Sequence, residues 1–231
     1  SKNNNQGLST IFSNFNSNIE IKIDKMFLDK VSFINNLSGN INFINNQINE
    51  LKLASNFSNK KKITLTIKTN KNNERVTTLF SSHPKPLINR YKVIKGFEDG
   101  ILDFQSIKKG DISKSVLNID NFKVKEVPVL AKLLTLASLQ GIADLLTGEG
   151  IRFTDFEMFF SNKGNLMTID EIYAIGPAIS IMMSGYIESD KLISLRGTLV
   201  PARTINRTIA SIPFIGNILV GKKAGEGVFG V

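Results

Sequence analysis

The chain has 231 residues, no cysteine and a formal charge of +9 at neutral pH. That length supports one large β domain or two smaller ones, either with a real core, and the lack of cysteine excludes disulfides and thiolate metal sites. The charge reads as a nucleic-acid signal only until it is located: residues 1–127 hold 20 Lys+Arg against 11 Asp+Glu, whereas residues 128–231 hold nine of each.

The basic half also carries 21 of the 25 asparagines, and its lysines cluster in turn-like stretches such as "NFSNKKKI" and "TNKNNER". Lys60, Lys61 and Lys62 therefore read as a polar turn, because a phosphate-binding surface usually adds stacking aromatics or a recognisable module. No nucleic-acid partner is expected, and the Asn/Lys/Ile enrichment reads as compositional bias at solvated positions. Ser1 is not an initiator methionine, so further chain is expected upstream. The sequence holds no apolar run of about 18 residues and no signal peptide, which places any membrane anchor outside it.

Taken in order, the first half alternates with period two. "IEIKID" puts Ile19, Ile21 and Ile23 on one face, "SGNINF" does so with Ile41 and Phe43, and "ITLTIKT" sets Ile63, Leu65 and Ile67 against Thr64, Thr66 and Lys68. These are half-buried strands. Short Asn/Lys/Gly/Ser clusters between them favour antiparallel hairpins. "SSHPKPL", with Pro84 and Pro86, is expected to be an irregular crossing. Strand text resumes at "GILDF" and "SVLNIDNFKVKEV".

A helix is expected over 129–147. Pro128 suits its first turn, Leu130, Leu133, Leu134, Ile142 and Leu145 build an apolar face, and Gly148 is a C-terminal stop. Lys132 and Asp144 make it too polar to span a bilayer. The β pattern returns with Phe156/Met158/Phe160 and Ile179/Ile181/Met183, a meander of about four strands. The tail suggests a short helix over 204–211, a break at Pro213, an apolar knot over 214–220 and a final strand from 227.

No catalytic set emerges. His83 is the only histidine, and without a G-x-S-x-G elbow it reads as a loop residue before proline. A multi-histidine metal site is impossible, and the scattered carboxylates show no motif spacing. "GNILVGKK" over 216–223 spells a phosphate loop, but Lys223 stands where Ser or Thr would hold magnesium and the interior is apolar. The chain is expected to be no enzyme and to need no cofactor. What remains is an amphipathic sheet that needs a cover: a second sheet in a sandwich, a helix, or a ligand.

Four blocks then matter together: "VPVLAKLLTLASLQGIADLLTGEGIRF", "GPAISIMMSGYI", "LRGTLVPARTIN" and "IPFIGNILVGKKAGEGVFGV". In this order they resemble the C-terminal domain of AsmA-like bacterial envelope proteins of the YhdP type, within the bridge-like lipid transfer superfamily. The resemblance covers about residues 96–231. It implies a mainly β fold: a long curved antiparallel sheet forming a groove-like meander, one amphipathic helix near the middle, and short C-terminal helical segments. Residues 1–127 would be an Asn/Lys-rich part of the groove, continuous with an AsmA-like region over 128–231.

The resemblance further implies a periplasmic protein anchored to the inner membrane of a diderm bacterium, carrying phospholipid between inner and outer membranes in support of outer-membrane integrity. Envelope protein partners would be possible, as would membrane contact through the N-terminal anchor or the C-terminal end. The lipid would contact Ile63, Leu65, Ile67, Phe156, Met158, Phe160, Ile179, Ile181 and Met183. The helix face would cap one end of the groove, or pack as plain core. Gly148, Gly150, Gly176, Pro177, Gly185, Pro201, Asn206, Pro213 and Gly216 would serve family-motif turns. The alternative function is a non-catalytic scaffold or interaction module in outer-membrane assembly.

Overall fold

The computed structural model describes residues 16–58, 60–91, 96–125, 131, 134, 135, 148–189 and 192–201. Eleven strands follow one another: β1 (Ser17–Phe27), β2 (Phe33–Ile44), β3 (Gln47–Phe57), β4 (Lys62–Thr69), β5 (Arg75–Ser81), β6 (Glu98–Lys109), β7 (Ile112–Val124), β8 (Ile151–Lys163), β9 (Leu166–Ile175), β10 (Ile179–Glu188) and β11 (Leu192–Pro201). They form one sheet in strict sequence order, each strand antiparallel to the next. The sheet is open and curved. Among the described residues there is no second sheet, so the sandwich alternative is not what these strands form.

The asparagines have a structural use that composition alone did not suggest. Of the seven non-glycine residues with positive φ among those described, five are Asn: Asn36, Asn45, Asn46, Asn73 and Asn121. Asparagine tolerates the left-handed region better than other side chains. Asn45 and Asn46, at φ 51° and 61°, form the two-residue connection between β2 and β3, where both residues must be left-handed for the turn to match the strand twist. Asn70 caps the β4–β5 turn, its Oδ1 accepting from the Asn72 and Glu74 amides at 2.9 Å.

The connections differ between the two ends of the strands. One end holds short hairpins: β2–β3, β4–β5, β6–β7, β8–β9 and β10–β11. The other holds both long connections, 82–97 and 125–150, whose described residues Ile88, Phe97, Ala131 and Leu134 pack on the sheet as a cover. In the first, α1 (Lys85–Tyr91) forms where an irregular crossing was expected. Pro86 suits a first turn, Leu87 and Ile88 donate to the Pro84 carbonyl at 2.9 and 3.0 Å, and Arg90 favours the C-terminal end. Arg90 also donates to the Leu28 carbonyl at 2.8 Å, tying α1 to the β1–β2 connection. Phe97, fully buried, follows. In the second, Ala131, Leu134 and Thr135 are helical, and Leu134 is fully buried against the sheet. Leu130, Leu133, Ile142 and Leu145 lie outside the described residues.

The main core sits under this cover: Phe97, Leu134, Leu102, Ile119, Phe122, Val124, Ile151, Phe153, Ala174, Ile179 and Ile181. A smaller cluster of Ile34, Leu37 and Phe57 lies at the same strand ends on β2 and β3. The core depends on a line of kinks across three strands. Gly100 on β6 and Asn121 on β7 have φ of 86° and 50°, and no register pair joins Asn121 to Thr154 on β8. Crossing that line, two residues instead of one separate the inward side chains: Ile119 to Phe122, and Phe156 to Phe153. All four aromatics and aliphatics thus face the same way.

The kink also sets Asp120 directly opposite Asp155. Burial, Asp155 and Asp103 together raise the Asp120 carboxyl above its usual range. A raised acid binds its proton more tightly in the fold, so the associated stability is present below the unfolded value of 3.8 and is lost as pH rises through the folded one. Asp120→Asn is therefore expected to stabilise the protein at pH 7 by about 0.2–1 kcal/mol, the scale of a like-charged cross-strand pair, and to gain nothing near pH 3. Thermal melts at the two pH values check this.

Candidate functional site: the apolar face

Cross-strand pairing places opposed residues on one face, so the register can be followed across the sheet. Leu53 lies opposite Leu65, Leu65 opposite Leu79, and Leu79 opposite Phe104. Phe104 lies opposite Leu117, Leu117 opposite Met158, Met158 opposite Ile172, and Ile172 opposite Met183. This row of apolar side chains crosses eight strands, β3 to β10, without a polar interruption. Seven strand spacings of about 4.8 Å make it about 34 Å long.

The neighbouring row toward the covered end runs from Ile63 past Ser81, Leu102, Ile119, Phe156 and Ala174 to Ile181. The row on the other side contains Ile67, Thr77, Ser106, Ser115, Phe160 and Ile169. The three apolar sets expected from period two therefore share one face. The opposite face is mixed: Thr66 and Thr78 pair hydroxyl to hydroxyl at 2.6 Å and Glu157 stands beside Met158, while Phe159, between Met158 and Phe160, lies there opposite Val116.

The sets differ in access. Ile63, Leu65, Ile67, Phe156, Met158, Phe160 and Met183 are half-buried, whereas Ile179 and Ile181 belong to the closed core at 0% and 8% exposure. Ile179 and Ile181 are thus packed beneath the cover rather than set along an open surface. Phe104 and Phe160, two strands apart, stack with centroids 6.4 Å apart. A flat sheet would hold their strands about 9.6 Å apart, so the rings converge over Ser115, as on the inside of a curve.

The remaining sequence-derived positions are dispersed. Gly148 and Gly150 lie just before β8, and Gly176 and Pro177 in the β9–β10 connection. Gly185 and Pro201 lie in strands, not turns: Gly185 is inside β10 opposite Leu195, and Pro201 ends β11. At Gly185 (φ 150°) a Cβ would meet the Ser194 carbonyl oxygen, so the glycine serves close strand approach beside a register shift. Asn206, Pro213 and Gly216, with the rest of 202–231 and its phosphate-loop-like stretch, lie outside the described residues.

His83 sits in the connection leading to α1, its ring edge-on to Phe57 at 5.2 Å. Burial, with Lys61 and Lys85 nearby, lowers its pKa. Its Nδ1 is buried without a hydrogen-bond partner among the described residues. Among the described residues no cluster of potential metal ligands occurs, and no helix is long and apolar enough to cross a membrane.

Pattern reading missed the polar border of the apolar face. At the hairpin end the same face continues through Thr69, Arg75 and Lys108, which are register partners in one row. They line a cavity of about 730 Å³ together with Asn45, Asn49 and Asn73. The available signal was period two itself, since Arg75, Thr77 and Leu79 alternate along β5. No family model, curated protein or solved structure matches this chain.

Proposed function

We propose that the apolar face carries lipid acyl chains, and that the chain is a segment of an inner-membrane-anchored periplasmic protein passing phospholipid between inner and outer membranes. One observation carries this reading: an apolar row crosses eight strands of a single open sheet, flanked by a cover at one strand end and polar residues at the other. The resemblance of the four blocks to AsmA-like proteins supports the membrane setting.

The energetics suit a carrier without covalent chemistry. Sheltering a chain of about 16 methylenes at ~0.8 kcal/mol each gains on the order of 13 kcal/mol relative to water. Leu, Phe and Met side chains of similar polarity along the row leave no single deep well, so a bound chain can shift along it. Catalysis has no part in this reading, and no cofactor is needed.

Photocrosslinking in cells tests it. A photoreactive residue at Leu65 or Met158 is expected to give phospholipid adducts, and one at Thr66 or Glu157, on the opposite face, none. Ile181 beneath the cover is expected to stay unlabelled. Equal labelling of both faces, or no adduct at Leu65 and Met158 in folded protein, would sink the proposal.

A second reading, an interaction module in envelope assembly, is favoured by β11, the last strand of the sheet among the described residues, where Leu192, Ile193 and Leu195 are exposed at 49%, 68% and 39%. Apolar residues on a terminal strand suit pairing with a further strand. Such pairing would lengthen the sheet and is compatible with lipid carriage.

A further inference from the structure

We propose that the cavity between the β2–β3, β4–β5 and β6–β7 hairpins binds a phosphate group, held by Arg75 and Lys108, while the acyl chains of the same lipid lie on the apolar rows. The inference rests on the lipid-carrying reading and assigns it a headgroup site.

Three observations carry it. First, Arg75 lies directly opposite Lys108 across β5 and β6. Two like charges in that position repel, and an anion between them turns the repulsion into attraction. Second, among the described residues lining the cavity, Arg75 and Lys108 are cationic and none is acidic. The neighbouring carboxylate, Glu74, is engaged elsewhere, with Lys109 at 3.3 Å and Asn70 at 2.9 Å. Arg75 makes only a long contact, 3.4 Å, to the Ile48 carbonyl, which leaves its planar fork for a phosphate.

Third, the chemistry grades along the strands. On one face β5 reads Arg75, Thr77, Leu79, and β6 reads Lys108, Ser106, Phe104. Each step is two residues, about 6.8 Å. Cation, hydroxyl and hydrocarbon follow in the order phosphate, ester-bearing glycerol and acyl chain of a glycerophospholipid. The Asn45, Asn49 and Asn73 side chains around the cavity supply further neutral donors.

The test uses the full chain in detergent, with native mass spectrometry for dioleoyl phosphatidylglycerol and for dioleoylglycerol, which has the same chains without phosphate. Calorimetry with inorganic phosphate is run alongside. The expected result is a preference of about tenfold for the phospholipid, the scale of one charge-assisted hydrogen bond. Arg75→Gln should abolish that preference. Lys108→Glu should do so too; it puts an ion pair opposite Arg75, so a folding defect is not its expected effect.

Equal binding of the two lipids by the unaltered chain overturns the headgroup site and leaves the apolar groove standing. A preference that survives in both variants overturns it as well. If neither lipid binds, the groove reading fails and the headgroup proposal with it. Inorganic phosphate binding that is lost in the variants would then mark a site for a free anion instead of a lipid.

Discussion

Phe122→Ala is expected to cost about 3–5 kcal/mol of stability, the range for emptying a buried aromatic site, and to lower the melting temperature by roughly 6–20 °C. Phe122 is 3% exposed and touches three other rings. It stacks on Phe97 at 5.4 Å and on Phe153 at 5.5 Å, and meets Phe156 edge-on at 6.1 Å. Phe97 comes from a long connection, whereas Phe153 and Phe156 come from β8 on either side of the kink. The one ring thus joins the cover to the sheet, and truncating it opens a cavity that neither the strands nor the connection can readily fill. Ile101→Ala on β6, at a side chain 44% exposed, should change stability by less than about 0.5 kcal/mol. Denaturant melts of the two variants compare them directly. Similar small losses would mean that the covered end is not the cohesive core.

The same residues show where pattern reading succeeds and where it stops. Strand faces are legible because period two is a local property of the text: Ile63/Leu65/Ile67 and Phe156/Met158/Phe160 were assigned without any knowledge of neighbours. That both sets share one face is not local, since it depends on every register between β4 and β8. Strict alternation would also have put Phe153 on the face opposite Phe156; the paired kinks at Asn121 and Thr154 return it to the core, and no single-strand periodicity encodes a kink shared by three strands. The helix at Lys85–Tyr91 was hidden by its prolines, which mark a helix start as readily as a break. Gly185 is a turn position only by the resemblance of its block, whereas in the sheet it relieves close strand contact. Arg75 and Lys108 lie 33 positions apart in sequence, so the cation pair exists only once the register of β5 and β6 is known.

Charge placed in the apolar row should abolish lipid retention while leaving the fold in place. Leu65 and Met158 are half-buried, on β4 and β8, about 19 Å apart along the row. An aspartate at either position would face a bound acyl chain without a partner. Partial solvation reduces the cost from that of a fully buried charge to about 2–3 kcal/mol, which corresponds to a loss of lipid affinity of roughly 30- to 160-fold. Leu65→Asp and Met158→Asp are each expected to show that loss, and Thr66→Asp on the opposite face to bind as before. Leu65→Met, which conserves volume and polarity, should retain lipid. Co-purified phospholipid, measured after mass spectrometric extraction, is the readout, with melting temperatures confirming that both Asp variants remain folded. A chain lying along a continuous row touches both positions, so both substitutions must weaken it. A loss confined to one of them would put the lipid in a discrete pocket and overturn the continuous groove, whereas comparable losses at both are what movement along a uniform row requires.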